Sequence, residues 1–327
     1  MTIAICGGAG YIGSHAALAL LDRGTDVVVI DNLSTGHAES VPAGVKLYKG
    51  DIRDAKFLDT VFSTEKITAV MHFAADSLVG VSVQEPLTYY NNNVGGAITL
   101  LEAMKRHNIN NIVFSSTAAT FGEPLRQPIV ETDAQIPTNP YGETKLAIEK
   151  LLKWTANSSD LRYKVLRYFN VAGADPTGRA GEDHRPESHL IPLVLEVALG
   201  KREHISIFRD TYPTEDGTCV RDYIHVSDLI AAHILALDDL FADGENSAYN
   251  FGNGQGFSVK EVIEVCRKVT GHTIPEVMAP IRLGDPATLI ASSDKAKQQL
   301  GWSPQHAKLE TIVADAWHWF EKNPNGY

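Results

Sequence analysis

Gly7-Gly8-Ala9-Gly10-Tyr11-Ile12-Gly13 follows a short apolar run at 3–6 and opens a segment, 12–21, whose apolar residues recur at helical spacing. The stretch satisfies both G-x-G-x-x-G (Gly8, Gly10, Gly13) and G-x-x-G-x-x-G (Gly7, Gly10, Gly13). Glycines there permit a tight turn and let a pyrophosphate reach backbone N–H groups at the N-terminus of a helix. A glycine motif alone is a weak signal; the strand–turn–helix setting gives it weight. The next apolar run, 27–30, ends in Asp31. A carboxylate at that place binds adenosine ribose hydroxyls and repels a 2′-phosphate, so the expected cofactor is NAD rather than NADP.

Working outward, apolar runs at 45–48, 69–73, 112–115 and 164–168 complete six strand candidates, separated by helical patterns such as 94–105 and 141–154. That order predicts an α/β fold with a Rossmann-type, doubly wound parallel sheet. Gly50-Asp51-Ile52 follows the third strand, where an adenine edge would lie, and Phe73-Ala74-Ala75 ends the fourth with small residues where a cofactor would pass. Asn92, within Asn91-Asn92-Asn93, is a supporting candidate. After Phe169 the rhythm changes. Residues 172–188 read as a long functional loop rich in Gly, Pro, Asp and Arg. Shorter elements follow: helices near 190–199, 226–240, 258–271 and 309–320, and a strand near 204–208. The expected division is a cofactor domain over 1–170 and a smaller α/β substrate domain over 171–327, with some exchange of chain between them.

Composition narrows the function. The 327 residues are 44% hydrophobic and 21% charged, with a net charge of −11, which argues against a general nucleic-acid or anionic-membrane surface. Cys6, Cys219 and Cys266 are odd in number and far apart, which suits a reducing compartment rather than a disulfide framework. Met1 leads straight into a strand-like run and no apolar stretch is long enough to span a bilayer. A cytoplasmic protein is expected, with no membrane partner, no nucleic-acid partner and no metal.

The chemistry concentrates in Asn139-Pro140-Tyr141-Gly142-Glu143-Thr144-Lys145. Asn139 is a good N-cap and Pro140 suits a first helical turn, so Tyr141 and Lys145 share one face, a turn apart. A lysine ammonium near a phenol favours the phenolate, and the pair is expected to supply a base and acid near neutral pH. Thr117 closes the fifth strand, where a hydroxyl at the C-terminal end of a parallel strand faces the ligand crevice.

Several motifs then coincide. The glycine turn, Asp31-Asn32-Leu33, residues 79–94, 114–122 and 139–145, Arg167-Tyr168-Phe169-Asn170, Asp216 to Val226 and the closing Pro324-Asn325-Gly326-Tyr327 together resemble the extended short-chain dehydrogenase/reductases. Within these, the chain is most similar to the branch that epimerises UDP-hexoses at C4, over essentially its whole length. The resemblance implies Tyr141 as catalytic base, Lys145 as holder of the nicotinamide ribose and Thr117 as partner of the sugar 4-OH. At the cofactor it implies Gly7, Gly10, Tyr11, Ile12, Gly13, Asp31, Asn32, Leu33, Ser34, Thr35, Gly36, Asp51, Ile52, Phe73, Ala74, Ala75, Ser77, Asn92, Tyr141, Lys145 and Phe169. At a UDP-hexose it implies Thr117, Tyr141, Asn170, His189, Leu190, Ser206, Ile207, Phe208, Arg221, Arg282, Asp285 and Leu289.

Departures from the family pattern are Ser77 for a lysine, Phe121 for a tyrosine, Cys6 for a threonine and His189 for an asparagine. Leu289 stands where other members vary between Tyr, Cys and Ser, which leaves acceptance of N-acetylated UDP-hexosamines open. Related 4,6-dehydratases carry an Asp-Glu pair just after the Thr117 position and decarboxylases a Glu; here Ala118 and Ala119 stand there. A dinucleotide-sensing module without chemistry predicts loss of Tyr141, Lys145 or the hydroxyl at 117, and all three are present. The resemblance also implies a homodimer through the helices at 94–105 and 141–154, with Leu100, Met104, Leu151 and Trp154 available. The alternative is that these four pack on their own sheet.

Overall fold

Strands and helices alternate through the first half as the apolar periodicity predicts. The computed structural model describes residues 1–280 and 286–327. In chain order come β1 (Thr2–Cys6), α1 (Tyr11–Asp22), β2 (Asp26–Asp31), β3 (Lys46–Lys49), α2 (Ala55–Thr64) and β4 (Ile67–His72). Then α3 (Val79–Gln84), α4 (Pro86–Tyr89) and a π turn at Tyr90–Gly95 run into α5 (Gly96–Arg106). They are followed by β5 (Asn111–Thr117), a 3₁₀ turn at Ala118–Phe121, α6 (Pro140–Asn157) and β6 (Arg162–Tyr168). The remainder comprises β7 (Asn170–Ala172), α7 (Leu190–Ala198), β8 (Ile205–Ile207), β9 (Val220–His225), α8 (Val226–Phe241) and β10 (Ser247–Phe251). Last come β11 (Gly256–Ser258), α9 (Val259–Thr270), β12 (Glu276–Met278), β13 (Thr288–Leu289), α10 (Asp294–Leu300) and α11 (Leu309–Lys322).

Seven strands form one sheet in the order β10-β6-β5-β4-β1-β2-β3, with every pairing parallel. From β1 the chain winds outward to β3, then returns to β4 and winds the other way. The order therefore reverses between β1 and β4, where Cys6 pairs with both Ile30 and His72. Such a switch point leaves a crevice beyond the strand ends, and it opens between the glycine turn and the segment after His72.

Each face of the sheet is sealed by its own apolar layer. One joins Ile3, Ile5, Val27, Val29 and Met71 to α1 and α8; the other joins Ala4, Val28, Ile30 and Val70 to α2, α5 and α6. The alternation of odd and even positions along β1 and β2 is the period-two signature of a sheet buried on both faces. A third core packs α7, α9 and α11 around Ile205, Ile207 and Tyr223.

Two strands depart from the sequence expectation. β10 lies well after residue 170 yet is the edge strand of the first sheet, pairing Ser247–Phe251 with Lys164–Tyr168, and α8 covers the same sheet. β9 is broken in sequence by Arg221 and Asp222 and carries no clean apolar alternation. Asp222 is nevertheless fully buried, because the N–H groups of Asn253, Gly254 and Ala291 donate to its carboxylate. Burial pushes that carboxyl up to about 6 against those donors. β9 pairs with β7, β11 and β13 in a small second sheet, which sets Leu289 beside Arg221 and Asn170 beside Tyr223.

Candidate active site

The glycine turn is shaped by close approach. Gly7 takes φ +81°, and a Cβ there would sit 2.5 Å from the Ala74 nitrogen; a Cβ on Gly13 would sit 2.1 Å from the Gly7 carbonyl oxygen. Neither obstacle is a side chain that could swing away, so both positions require glycine. α1 therefore has Gly10 at its N-cap, with no side-chain cap and no acidic residue in its first turn, leaving its first N–H groups and the positive end of its dipole facing the crevice. At the end of β2 the Asp31 carboxylate accepts from the N–H groups of Ala9 (2.9 Å) and Leu33 (2.8 Å), which fixes it beside the turn.

One cleft runs from this turn across the strand ends. Of the residues expected at the cofactor, Gly7, Gly10, Tyr11, Ile12, Gly13, Asp31, Asn32, Ser34, Thr35, Gly36, Asp51, Ile52, Phe73, Ala74, Ala75, Ser77, Asn92, Tyr141, Lys145 and Phe169 line it. Leu33 does not; with φ 59° it turns the chain so that Ser34, Thr35 and Gly36 return to the wall. Asp51 is held by the Arg53 guanidinium and main chain, which draws its carboxyl down to about 2. The π turn gives neighbouring asparagines different tasks: Asn92 faces the cleft, while buried Asn93 bonds the Asp76 main chain and the Thr144 hydroxyl. π turns of this kind concentrate at functional sites.

At the far end stand Thr117, Tyr141 and Lys145. Asn139 caps α6 by accepting from the Gly142 N–H at 2.9 Å, and Pro140 occupies the first turn as the sequence predicts. Thr117 accepts from the Ala119 N–H (3.1 Å), leaving its own proton to donate. Lys145 donates to the Ser115 carbonyl (2.9 Å), and its ammonium lies 6.0 Å from the centre of the Tyr141 ring. The expected lowering of the phenol by this lysine is not found. Burial pushes Tyr141 up to about 12, with a hydrogen bond from Thr117 acting the other way, and burial draws Lys145 down to about 7, with Glu149 opposing. Two groups sharing a dry site each favour the neutral form, and a lysine near neutrality is a weak source of positive field.

The residues expected at a nucleotide sugar divide. Asn170 and His189 line the same cleft. Leu190, Ser206, Ile207, Arg221 and Leu289 belong to α7, β8 and the second sheet, Phe208 directly follows β8, and none of the six is on its wall. Ile207 is buried in the third core and Phe208 is exposed. Arg282 and Asp285 lie outside the described residues. Sequence reading overlooked Tyr168, Asp76, Glu182 and His184, which share the cleft wall. Asp76 lies between two positions that were read and Tyr168 within a quoted motif; the Glu182–His184 pair sits in the 172–188 loop, which was read as functional without either residue being singled out. Its carboxylates hold His184 up to about 9 and His189 up to about 10.

Comparison with known proteins agrees with this geometry. Residues 3–252 match the model of the NAD dependent epimerase/dehydratase family. The chain is 61% identical to a UDP-glucose 4-epimerase of Halalkalibacterium halodurans, covering 100% of this chain and 98% of that one. It is 56% identical to one from Lacticaseibacillus casei, covering 100% and 99%. Among solved structures, a UDP-glucose 4-epimerase superposes with a TM-score of 0.98 at 60% identity, over 100% of this chain and 99% of that one. The Bifidobacterium longum enzyme, in complex with NAD+ and UDP, superposes with a TM-score of 0.95 at 39% identity over 100% of both chains. A glycine cradle, an acid at the end of β2 and a Tyr–Lys helix turn in one cleft, found in a chain with relatives of this identity, lead to one conclusion: it belongs to the NAD dependent epimerase/dehydratase family, on the branch of the UDP-glucose 4-epimerases.

Proposed function

We propose that this chain reversibly interconverts UDP-glucose and UDP-galactose by inverting C4 through a 4-keto sugar, with NAD held in the cleft throughout. The observation that carries this reading is the placement of Tyr141, Thr117 and Lys145 at the end of the cleft that begins at Gly7–Gly13 and Asp31. NAD supplies a two-electron acceptor that is restored within each turnover, and its oxidised ring carries the sign of charge that favours a phenolate. The cradle suits it: Gly7 and Gly13 leave no room for a Cβ, and the first turn of α1 offers unpaired N–H groups to a diphosphate.

In this reading Tyr141 takes the proton from the sugar 4-OH, directly or through the Thr117 hydroxyl, and returns it after the sugar has turned over. Thr117 serves both events, because its oxygen is anchored on the Ala119 N–H while its proton stays free for the phenolate. Lys145, fixed on the Ser115 carbonyl, has two further protons for a ribose. Turning the sugar over requires firm binding at the UDP and loose binding at the hexose. Asn170, His189, Leu190, Ser206, Ile207, Phe208, Arg221 and, beyond the described residues, Arg282 and Asp285 are proposed to hold the nucleotide, with Leu289 beside Arg221 bounding the sugar. Ala118 and Ala119 leave no acid or base for elimination of water. The same reading places the enzyme in the cytoplasm and in galactose metabolism, where three cysteines outside any disulfide suit a reducing medium.

The test is incubation with UDP-galactose and, separately, UDP-N-acetylgalactosamine, followed by chromatographic separation of epimers and mass spectrometry. Expected are a C4 epimer of unchanged mass from UDP-galactose and an NAD absorbance in protein purified without added cofactor. A product lighter by one water or by carbon dioxide, or no product, would overturn the assignment.

We also propose a homodimer, through a face that differs in part from the expected one. Leu100 and Met104 are fully buried in their own core, so they cannot meet a partner. Exposed on this side are instead Val79, Val81, Val83, Leu87 and Tyr90 on α3, α4 and the π turn, with Ile98 and Trp154. α3 and α4 pack on α6, so much of this surface is continuous, and a patch of this kind marks an interaction site. Light scattering is expected to give twice the chain mass for the native protein and the single mass for a Val83→Lys, Leu87→Lys variant. A monomeric native protein would contradict it.

A further inference from the structure

Glu182, His184, Glu187 and His189 stand on the loop leading into α7, and a ligand atom from each lies within 4.8 Å of all the others. The Glu182 carboxylate lies 3.1 Å from the His184 Nδ1 and 2.8 Å from the His189 Nδ1, and the Glu187 carboxylate lies 3.7 and 3.2 Å from the same two nitrogens. A tetrahedral zinc centre with bonds of about 2.0–2.1 Å has ligand-to-ligand edges of about 3.3 Å, which the distances from the single Glu182 oxygen, 3.1 and 2.8 Å, approach.

Hydrogen bonding accounts for only part of this arrangement. Glu182 is 3% exposed, yet neither its Oε1 nor the buried His184 Nδ1 makes a hydrogen bond of acceptable direction, although the two are 3.1 Å apart. His189 Nδ1 is hydrogen-bonded to Glu187 at 3.2 Å, whereas the Glu182 and His184 atoms converge without pointing at one another, as ligands of an ion do. Glu187 is oriented for the role by accepting the N–H groups of Ser188 and His189. The His184 and His189 side chains stay 29% and 45% exposed, which leaves a path from solvent. The other grouping of this kind among the described residues, His225, His306 and Asp315, contrasts with it. There His225 accepts the Ser227 N–H at Nδ1 and donates from Nε2 to Asp315, so both ring nitrogens are already used.

We propose that Glu182, His184, Glu187 and His189 bind one divalent transition-metal ion of the zinc class on the wall of the cleft, so that His189 would meet the nucleotide through the ion rather than directly. Two imidazoles with two carboxylates suit zinc, cobalt or nickel better than magnesium or calcium.

The test uses the full chain with any purification tag removed, treated with chelator and dialysed against Zn2+, with Co2+ as a spectroscopic probe. Expected are one zinc per chain and visible Co2+ absorption typical of nitrogen and oxygen ligands. His184→Ala and Glu182→Gln should each weaken zinc binding ~10-fold or more, while His306→Ala leaves it unchanged. Circular dichroism checks that each variant is folded, and Glu182→Gln, which keeps its size, serves if His184→Ala is not. Absence of stoichiometric zinc, binding indifferent to the folded variants, or binding lost in His306→Ala instead would overturn the proposal.

Discussion

Replacing Tyr141 with phenylalanine is expected to lower kcat for UDP-galactose by ~10²–10⁴-fold, the contribution of a positioned general acid–base group. UDP binding should change little, because the proposed nucleotide contacts lie on Asn170, α7, β8 and the second sheet. The variant keeps the ring and its packing and loses only the hydroxyl. The native enzyme should show kcat/KM rising with pH as the phenol ionises. Burial holds Tyr141 up to about 12, so ionisation nearer neutrality depends on the Thr117 hydrogen bond and on positive charge brought into the cleft. In the phenylalanine variant that rising limb should be absent. Turnover within a factor of a few of native, or an unchanged pH profile, would remove Tyr141 from the proton path and with it the proposed mechanism.

What could be read from sequence was what local geometry decides. Gly7 and Gly13 announce themselves because main chain approaches main chain there and no other residue fits. Asn139 and Pro140 fix the start of α6 within its first turn, and with it the alignment of Tyr141 and Lys145. Where the determinant was distant, sequence reading fell short. The helical spacing of Tyr141 and Lys145 was legible, but the Lys145 bond to the Ser115 carbonyl, thirty residues earlier, and its burial were not. Burial of both side chains is what reverses the expected electrostatics. β10 was missed because an edge strand of five residues is specified by its pairing with β6 rather than by its own pattern. Leu100 and Met104 had the right chemistry for an interface and the wrong side of the helix, which only the packed sheet reveals.

The largest effect on stability is expected at Glu149, one turn beyond Lys145 on α6. Its carboxylate meets the Arg167 guanidinium at 2.6 Å, and both side chains are 7% exposed. It also accepts from the Ser116 hydroxyl on β5 and from Gln135, while Arg167 projects from β6 and lies over the Phe121 ring. One carboxylate thus ties α6 to the two strands that carry Thr117 and Tyr168. Glu149→Leu would leave a buried guanidinium without its charge partner and a buried hydroxyl without its acceptor, and should destabilise the fold by about 3–5 kcal/mol. The cost belongs mainly to the orphaned charge, not to the lost attraction, since forming the pair already required desolvating both ions. Adding Arg167→Met to Glu149→Leu should therefore restore more than half of the loss, as measured by urea unfolding of the native, single and double variants. If the double variant instead recovers little of the native stability, the attraction within the pair outweighs its desolvation, and the ion pair is a net source of stability beneath the site.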